Sequence, residues 1–413
     1  MLKRTIAIMI TAVMICSLAA CTSAQKSSSS TSTATAAAST SQSASSSAEA
    51  GAQTVSYSSE TTSAESSSDM FTDRDLEQTA DTSDAKSITV SDNQTINITE
   101  DGVYVITGSA SECTIRVEVD SEAKVQLVLD GVSITNTSTP AIYVVSADKC
   151  FITTTSSESS LTVTGTFTSD GDTNTDAVIF AKDDIVLNGT GTLNITSAQG
   201  NGISGKDDVK LTGGTYNITC ALDGIESNDL IAAENAVVQI NSSKDGLHCE
   251  NSDDDSTGSI YIGSGTLTIS AASDAIQAIT SLQIDGGTFT LNAAEGMEAT
   301  IISINDGTIS ITASDDGING AQKSSSAGTP TVTINGGTIT ISMGQGDTDA
   351  IDVNGNVVVN GGTIDITAQT SSFDYDGTAT YNGGTIIING TQVDTIPQPT
   401  MGGGMGEMGK RGR

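Results

Sequence analysis

Five copies of one short phrase constrain this chain more than anything else in it. They are Asp223-Gly224-Ile225, Asp245-Gly246-Leu247, Asp274-Ala275-Ile276, Glu295-Gly296-Met297 and Asp316-Gly317-Ile318, at steps of 22, 29, 21 and 21 residues. A second phrase runs half a period out of phase, as Gly213-Gly214-Thr215, Gly286-Gly287-Thr288, Gly336-Gly337-Thr338, Gly361-Gly362-Thr363 and Gly383-Gly384-Thr385. Each copy leads into alternation such as Ile339-Thr340-Ile341. Two interleaved phrases at one period describe a solenoid. Leucine is too scarce for a leucine-rich repeat. Every period holds short β-branched runs in period-two alternation, divided by Gly, Asn and Asp, with no helical stripe. The expectation is an all-β chain whose coils, of about three strands and three turns each, stack as a parallel β-helix.

The flanks read differently. Lys3 and Arg4 precede an apolar run from Thr5 to Leu18 that ends in Leu18-Ala19-Ala20-Cys21, so residues 1–20 are expected to be a secretory signal, too short to span a membrane. The ending resembles a bacterial lipobox, which makes Cys21 the expected site of lipidation and implies an extracellular protein held to the cell membrane. Residues 21–86 are dominated by Ser, Thr and Ala and offer almost nothing to build a core, so a disordered tether is expected. The solenoid is placed at 87–394. The Met/Gly-rich basic tail, 395–413, has no core-forming pattern.

Composition narrows the partners. The chain has no Trp and a formal charge of −34, which becomes −36 once Lys3 and Arg4 leave with the signal. That charge excludes nucleic acid as a direct partner and favours cations. The lack of Trp argues against a lectin with a Trp platform, and a monomer is expected. Cys113, Cys150, Cys220 and Cys249 share no column of the repeat, so buried thiols and disulfides both stay open.

Two files of residues carry the candidate chemistry. Extending the first phrase gives Asp176, Asn201, Asp223, Asp245, Asp274, Glu295, Asp316 and Asp349. Stacked coils put such positions about 4.8 Å apart. Like charges at that spacing repel by about 0.9 kcal/mol in water and by roughly 3 to 4 kcal/mol at an effective dielectric near 20. Seven carboxylates in file need solvent, protons or a hard divalent cation between them, and Ca²⁺ is the expected cofactor. The blander role for these residues is turn chemistry, an Asp satisfying corner backbone. A second acidic group, Asp183-Asp184, Asp207-Asp208 and Asp229, lies about six residues downstream, and Asp207 and Asp208 join the candidate ligands. One residue beyond each Ile of the phrase runs a polar file, Ser204, Glu226, His248, Gln277, Glu298, Asn319 and Asp352. It is expected to form a flat outer strip that hydrogen-bonds an extended polysaccharide.

Asp176-Ala177-Val178-Ile179-Phe180-Ala181-Lys182-Asp183-Asp184-Ile185 and Asn201-Gly202-Ile203-Ser204-Gly205-Lys206-Asp207-Asp208-Val209, with Leu127-Val128-Leu129-Asp130-Gly131-Val132 and Ala141-Ile142-Tyr143, resemble the bacterial carbohydrate-binding-domain-containing lipoproteins related to pectate lyases. The resemblance covers most of residues 88–390. It implies a right-handed parallel β-helix, calcium on the coils and binding of acidic or plant-cell-wall polysaccharide without established catalysis. A rival reading is a calcium-dependent polysaccharide lyase with Lys182, Lys206 or Lys244 as base. A structural adhesin is the third. His248 is the only histidine, so no His-based triad is expected.

Overall fold

In a computed structural model, which describes residues 70–346 and 348–398, the repeat folds as a parallel β-helix. One coil consists of Asn201–Gly205, Val209–Leu211 and Thr215–Cys220, and the next of Ile225–Ser227, Leu230–Ala233 and Ala236–Ser242. The first strands of the coils form a twelve-stranded parallel sheet, the front sheet. The second and third strands stack as two further rows, linked as one twenty-four-stranded sheet that Thr391–Val393 closes at its end by an antiparallel pairing.

The register explains both phrases. Ile203, Ile225, Leu247, Ile276, Met297, Ile318 and Ile351 pair coil to coil and point inward, none of them more than 2% exposed. Burying each such side chain contributes about 1.5–3 kcal/mol. The glycine of the first phrase is not a turn residue. A Cβ on Gly224 would lie 2.5 Å from the Gly246 carbonyl oxygen and from Ile240 Cγ2, so the position is reserved by close approach of the next coil. The second phrase does make turns: Gly337, at φ +80°, takes a left-handed conformation open to glycine at little cost. Beside these turns runs an amide ladder. Asn382, Asn360 and Asn335 each donate Nδ2–H to the preceding asparagine's Oδ1 at 2.7 Å, and Asn305 donates to Asp285 at 2.6 Å.

Two boundaries need correction. The tether was expected to be unstructured through residue 86, yet Met70 to Gln78 is placed against the outside of the second strand row. Phe151, Val186, Lys210, Ala232 and Tyr261 occupy successive rungs there and give an outward surface rich in apolar side chains. Met70 and Phe71 pack on Ala232 and Tyr261, and the Arg74 guanidinium lies 4.5 Å from the Phe151 ring centre. A Ser/Thr-rich composition hid three large side chains, Met70, Phe71 and Arg74, that dock a short strap, while Leu76 stays exposed. At the other end Ile396 is 3% exposed and Gln398 Nε2 donates to the Tyr375 hydroxyl, so the unpatterned tail starts later than 395. The expected signal at 1–20, Cys21, the tether to residue 69 and the tail from 399 lie outside the described residues. Cys113, Cys150, Cys220 and Cys249 are buried free thiols.

Candidate functional site

The front sheet carries the polar file in register: Ser204, Glu226, His248, Gln277, Glu298, Asn319, Asp352 and Asp374 occupy successive rungs. The expected flat, solvated strip is not what forms. Ser204, His248, Glu298 and Asn319 are buried, while Glu226, Gln277 and Asp352 are partly exposed. One cause is a wall. The loop at Asn251–Thr257 and the loop at Ala321–Pro330 interlock along one edge of the sheet, where Asp255 accepts from the backbone N–H of Ser325 at 3.1 Å and from the Ser326 hydroxyl at 2.7 Å. From this wall Lys323 reaches Glu298 Oε2 at 2.6 Å. The strip runs along the foot of this wall, and the face so bordered is called the groove.

The other cause is that the two files expected to be separate form one network. Three aspartates of the acidic column, together with Asn201, use one oxygen as backbone cap for the next coil. Asn201 Oδ1 accepts the N–H of Asp223 at 2.9 Å, Asp223 Oδ1 that of Asp245 at 3.0 Å, Asp245 Oδ1 that of Asp274 at 3.0 Å, and Asp316 Oδ1 that of Asp349 at 3.3 Å. Asn201 therefore serves as well as Asp in this role. The pattern breaks at Asp274, because the Glu295 N–H goes to the Ser273 carbonyl and not to the Asp274 side chain. The second oxygens turn toward the polar file: Asp274 Oδ2 accepts from Gln277 Nε2 at 2.7 Å, and the same nitrogen lies 2.6 Å from Glu298 Oε2. Glu226 accepts from Asn201 Nδ2 and Ser204 Oγ, both at 2.8 Å. Asp176 accepts from Asn174 on Oδ2, and its Oδ1 is buried without a partner.

Cations are already built into most of this groove. Lys206 lies 3.6 Å from Glu226, and Lys244 sits 2.8 Å from Asp223 and 3.4 Å from Asp245. His248 stands 3.5 Å from Asp223 on Nδ1 and 3.2 Å from Glu250 on Nε2. Burial alone would raise the Asp223 carboxyl, but His248 and Lys244 outweigh it and hold the group below the usual range. Asp223, Asp245 and His248 do offer ligand atoms within 4.8 Å of one another, with the Lys244 ammonium among them.

The far end of the groove differs. No Lys, Arg or His occurs between Lys323 and the end of the described residues. Burial, Asp352 and Glu295 push Asp316 up to about 7, and burial with Asp349 and Asp374 pushes Asp352 up to about 6. Asp274, burdened by burial, Glu295 and Asp245, is also pushed to about 7. Asn319 turns Nδ2 toward Glu295 at 3.0 Å and Glu298 at 3.4 Å, leaving a buried Oδ1 with no hydrogen-bond partner.

One further feature had no signal in the repeat, and one other was expected from it. At the near end, Tyr143 and Phe180 occupy the same file as edge-to-face rings 5.7 Å apart, with Arg116 over Tyr143 and Lys206 over Phe180. The second acidic group gathers at the adjoining corner, where Asp184, Asp207 and Asp208 bring ligand atoms within 4.8 Å. Lys210 lies 3.2 Å from Asp208 and Lys149 3.6 Å from Asp184. Burial and the charges of Asp184 and Asp208 push Asp207 up to about 6. Asp229 is tied instead to Asn251 and Thr257.

Residues 92–350 and 295–398 match the family described as carbohydrate-binding domain-containing protein. A relative of the same description from Acetivibrio thermocellus is 30% identical over 189 residues, 45% of this chain and 66% of the relative, just under two thirds of its length. A solved polysaccharide lyase-like protein from C. thermocellum, studied as a gadolinium derivative, shares 28% identity over 52% of this chain and 92% of its own, with a TM-score of 0.48.

Proposed function

Because the chain belongs to the family of carbohydrate-binding domain-containing proteins, we propose that it holds an extended polysaccharide in the front-sheet groove, without cleaving it, at the surface of the cell that anchors it through Cys21. The observation that carries this reading is the register: one polar side chain per coil repeats along the groove from Ser204 to Asp374. At a coil rise of about 4.8 Å, such rungs match the length of a single sugar ring better than that of a compact ligand.

At the far end of the groove it is charge that draws calcium, since no Lys, Arg or His neutralises the carboxylates there; among the described residues, ligand atoms converge within 4.8 Å only at Asp223, Asp245 and His248 and at Asp184, Asp207 and Asp208. Asp316, Asp349 and Asp352 supply hard oxygen donors, and the orphaned Asn319 Oδ1 supplies a neutral one. A bound ion there would offset the repulsion among these carboxylates and bridge to an acidic sugar. The network around Asp223 and Asp245 already holds Lys244, so an even file of ions along the whole column is not part of this reading.

Binding without chemistry is supported by the state of the lysines. Burial lowers the Lys244 ammonium, but its hydrogen bond to Asp223 and the charges of Asp223 and Asp245 outweigh burial and leave it raised, a poor base for abstracting a proton. Lys206 lies 3.6 Å from the Glu226 carboxylate. The test is a panel of acidic and neutral polysaccharides with calcium and with excess chelator, followed for retention and for ultraviolet absorbance of unsaturated products. Retention of an acidic polymer that weakens in chelator, with flat absorbance, is expected. Absence of retention on every polymer would overturn the binding reading, and steady growth of absorbance would favour the lyase.

A further inference from the structure

The strap is held by one pair of residues that the groove does not use. Asp75 is 0% exposed and Lys149, the first residue of the strand Lys149–Thr154, is 9% exposed. Lys149 Nζ lies 3.3 Å from Asp75 Oδ1 and 3.4 Å from Oδ2, so it faces the carboxyl as a whole and not one oxygen of it. The two oxygens are not equivalent. Oδ2 accepts the backbone N–H of Thr72 at 2.9 Å, whereas Oδ1 has no donor other than the lysine. The pair is fixed on both sides: Thr212 Oγ1 donates to the Asp75 carbonyl, and Arg74 lies over Phe151, two residues along the strand from Lys149. Gln78 Oε1 accepts the N–H of Gly189 at 3.0 Å and ends the strap's grip.

We propose that Lys149 and Asp75 condense into an intramolecular amide that fastens the strap covalently to the solenoid. The ammonium passes one proton to the carboxylate. The neutral Nζ attacks Cγ, the Cγ–Oδ1 bond breaks, and the departing oxygen leaves as water with a second proton from the nitrogen. Ammonium and carboxylate become one secondary amide and one water, with no oxidant, metal or cofactor. Oδ2 becomes the amide oxygen and keeps the Thr72 N–H, which polarises it during attack. The remaining N–H faces Asp184, whose Oδ2 lies 3.6 Å from Nζ.

Two physical arguments favour the condensed state. Amide formation between free groups in water is held back by entropy and by hydration of the charges, and both obstacles are removed here. Groups fixed face to face react with effective molarities of about 10⁵–10⁸ M. A fully buried ion pair also bears a desolvation cost that a neutral amide does not. The bond would close a loop of the chain between residues 75 and 149 and restrict the unfolded state as a disulfide does, in a chain whose described cysteines are free thiols.

The experiment is peptide mapping by mass spectrometry of the folded full-length chain, with Lys149→Arg in parallel. The expected result is one branched peptide joining the strap to the strand after residue 148, lighter by one water, about 18 Da, than the sum of its parts. Arginine keeps the charge but cannot form this bond, so that variant should give two linear peptides and a lower melting temperature. Linear peptides carrying unmodified Asp75 and Lys149, from wild-type protein that melts cooperatively, would overturn the proposal. That outcome does not depend on how well any variant folds, or on whether polysaccharide binds.

Discussion

Asp223 Oδ1 accepts the backbone N–H of Asp245 at 3.0 Å, while Oδ2 of the same carboxylate takes the Lys244 ammonium at 2.8 Å. One side chain thus ties coil to coil and also enters the groove network. The ammonium that neutralises it comes from the residue immediately before Asp245.

Removing the internal cation should destabilise the middle coils. Lys244→Met leaves Asp223 and Asp245, both nearly buried, facing each other without it. Because the ammonium is itself half exposed, the expected loss is about 1–3 kcal/mol. Urea unfolding measures it, and adding Asp245→Asn to Lys244→Met should recover part of the loss. An unchanged midpoint in the single variant would show that solvent already screens the pair.

Stability without calcium should fall as pH rises from 5.5 to 8. Asp274 and Asp316, pushed to about 7, and Asp352, pushed to about 6, bind protons more tightly folded than unfolded, so their ionisation opposes the native state. His248 acts in the same direction: burial lowers it but Asp223 raises it further, and the stability this gives is lost as pH rises through the folded pKa. Asp223, held low, contributes above the ordinary carboxylate range and is lost only in acid, outside this window. Unfolding midpoints in chelator at several pH values check the slope, and Asp274→Asn should flatten it.

Calcium should raise the melting temperature, more at pH 8 than at pH 5.5, because protons and the ion compete for the same oxygens. A ligand bound only by the native state stabilises by about 2.7 kcal/mol at a hundredfold excess over its dissociation constant. Asp316→Asn combined with Asp352→Asn should remove most of the calcium response, while Asp207→Asn should leave it. Scanning calorimetry with and without the ion distinguishes these outcomes.

Gly224→Ala should cost at least about 1–3 kcal/mol through overpacking, since its Cβ meets the backbone of the next coil at 2.5 Å. Ala275 and Ala350 occupy the equivalent place in their own coils without exposure, so the tolerance is local. Chemical denaturation of the single variant is sufficient. A loss near zero would mean that the coils slide apart there.

The solenoid was legible because its signal is repetitive: inward Ile at one offset, a turn glycine at another, and each error averaged over many coils. The two outward files were legible for the same reason, and their register is as the spacing implies. Their union was not. Whether Asp223 and Glu226 share a face depends on how the corner bends, and the entry of Lys244 and Lys323 depends on single residues outside the repeated phrases. The loop contact between Asp255 and Ser325 spans 70 residues with no repeat to announce it. The strap was missed because Met70, Phe71 and Arg74 were averaged into a Ser/Thr-rich background.

The most direct test of the account is equilibrium retention on an acidic polysaccharide in calcium, comparing two folded variants. One carries Glu226→Ala, Gln277→Ala and Asp352→Ala in the groove. The other carries Ser303→Ala and Thr333→Ala, on adjacent partly exposed rungs of the second strand row. At about 0.5–1.5 kcal/mol for each hydrogen bond lost, the groove variant should bind roughly tenfold or more weakly. The second variant should bind like the wild type. Full retention by the groove variant, or an equal loss in both, would contradict the groove as the polysaccharide site.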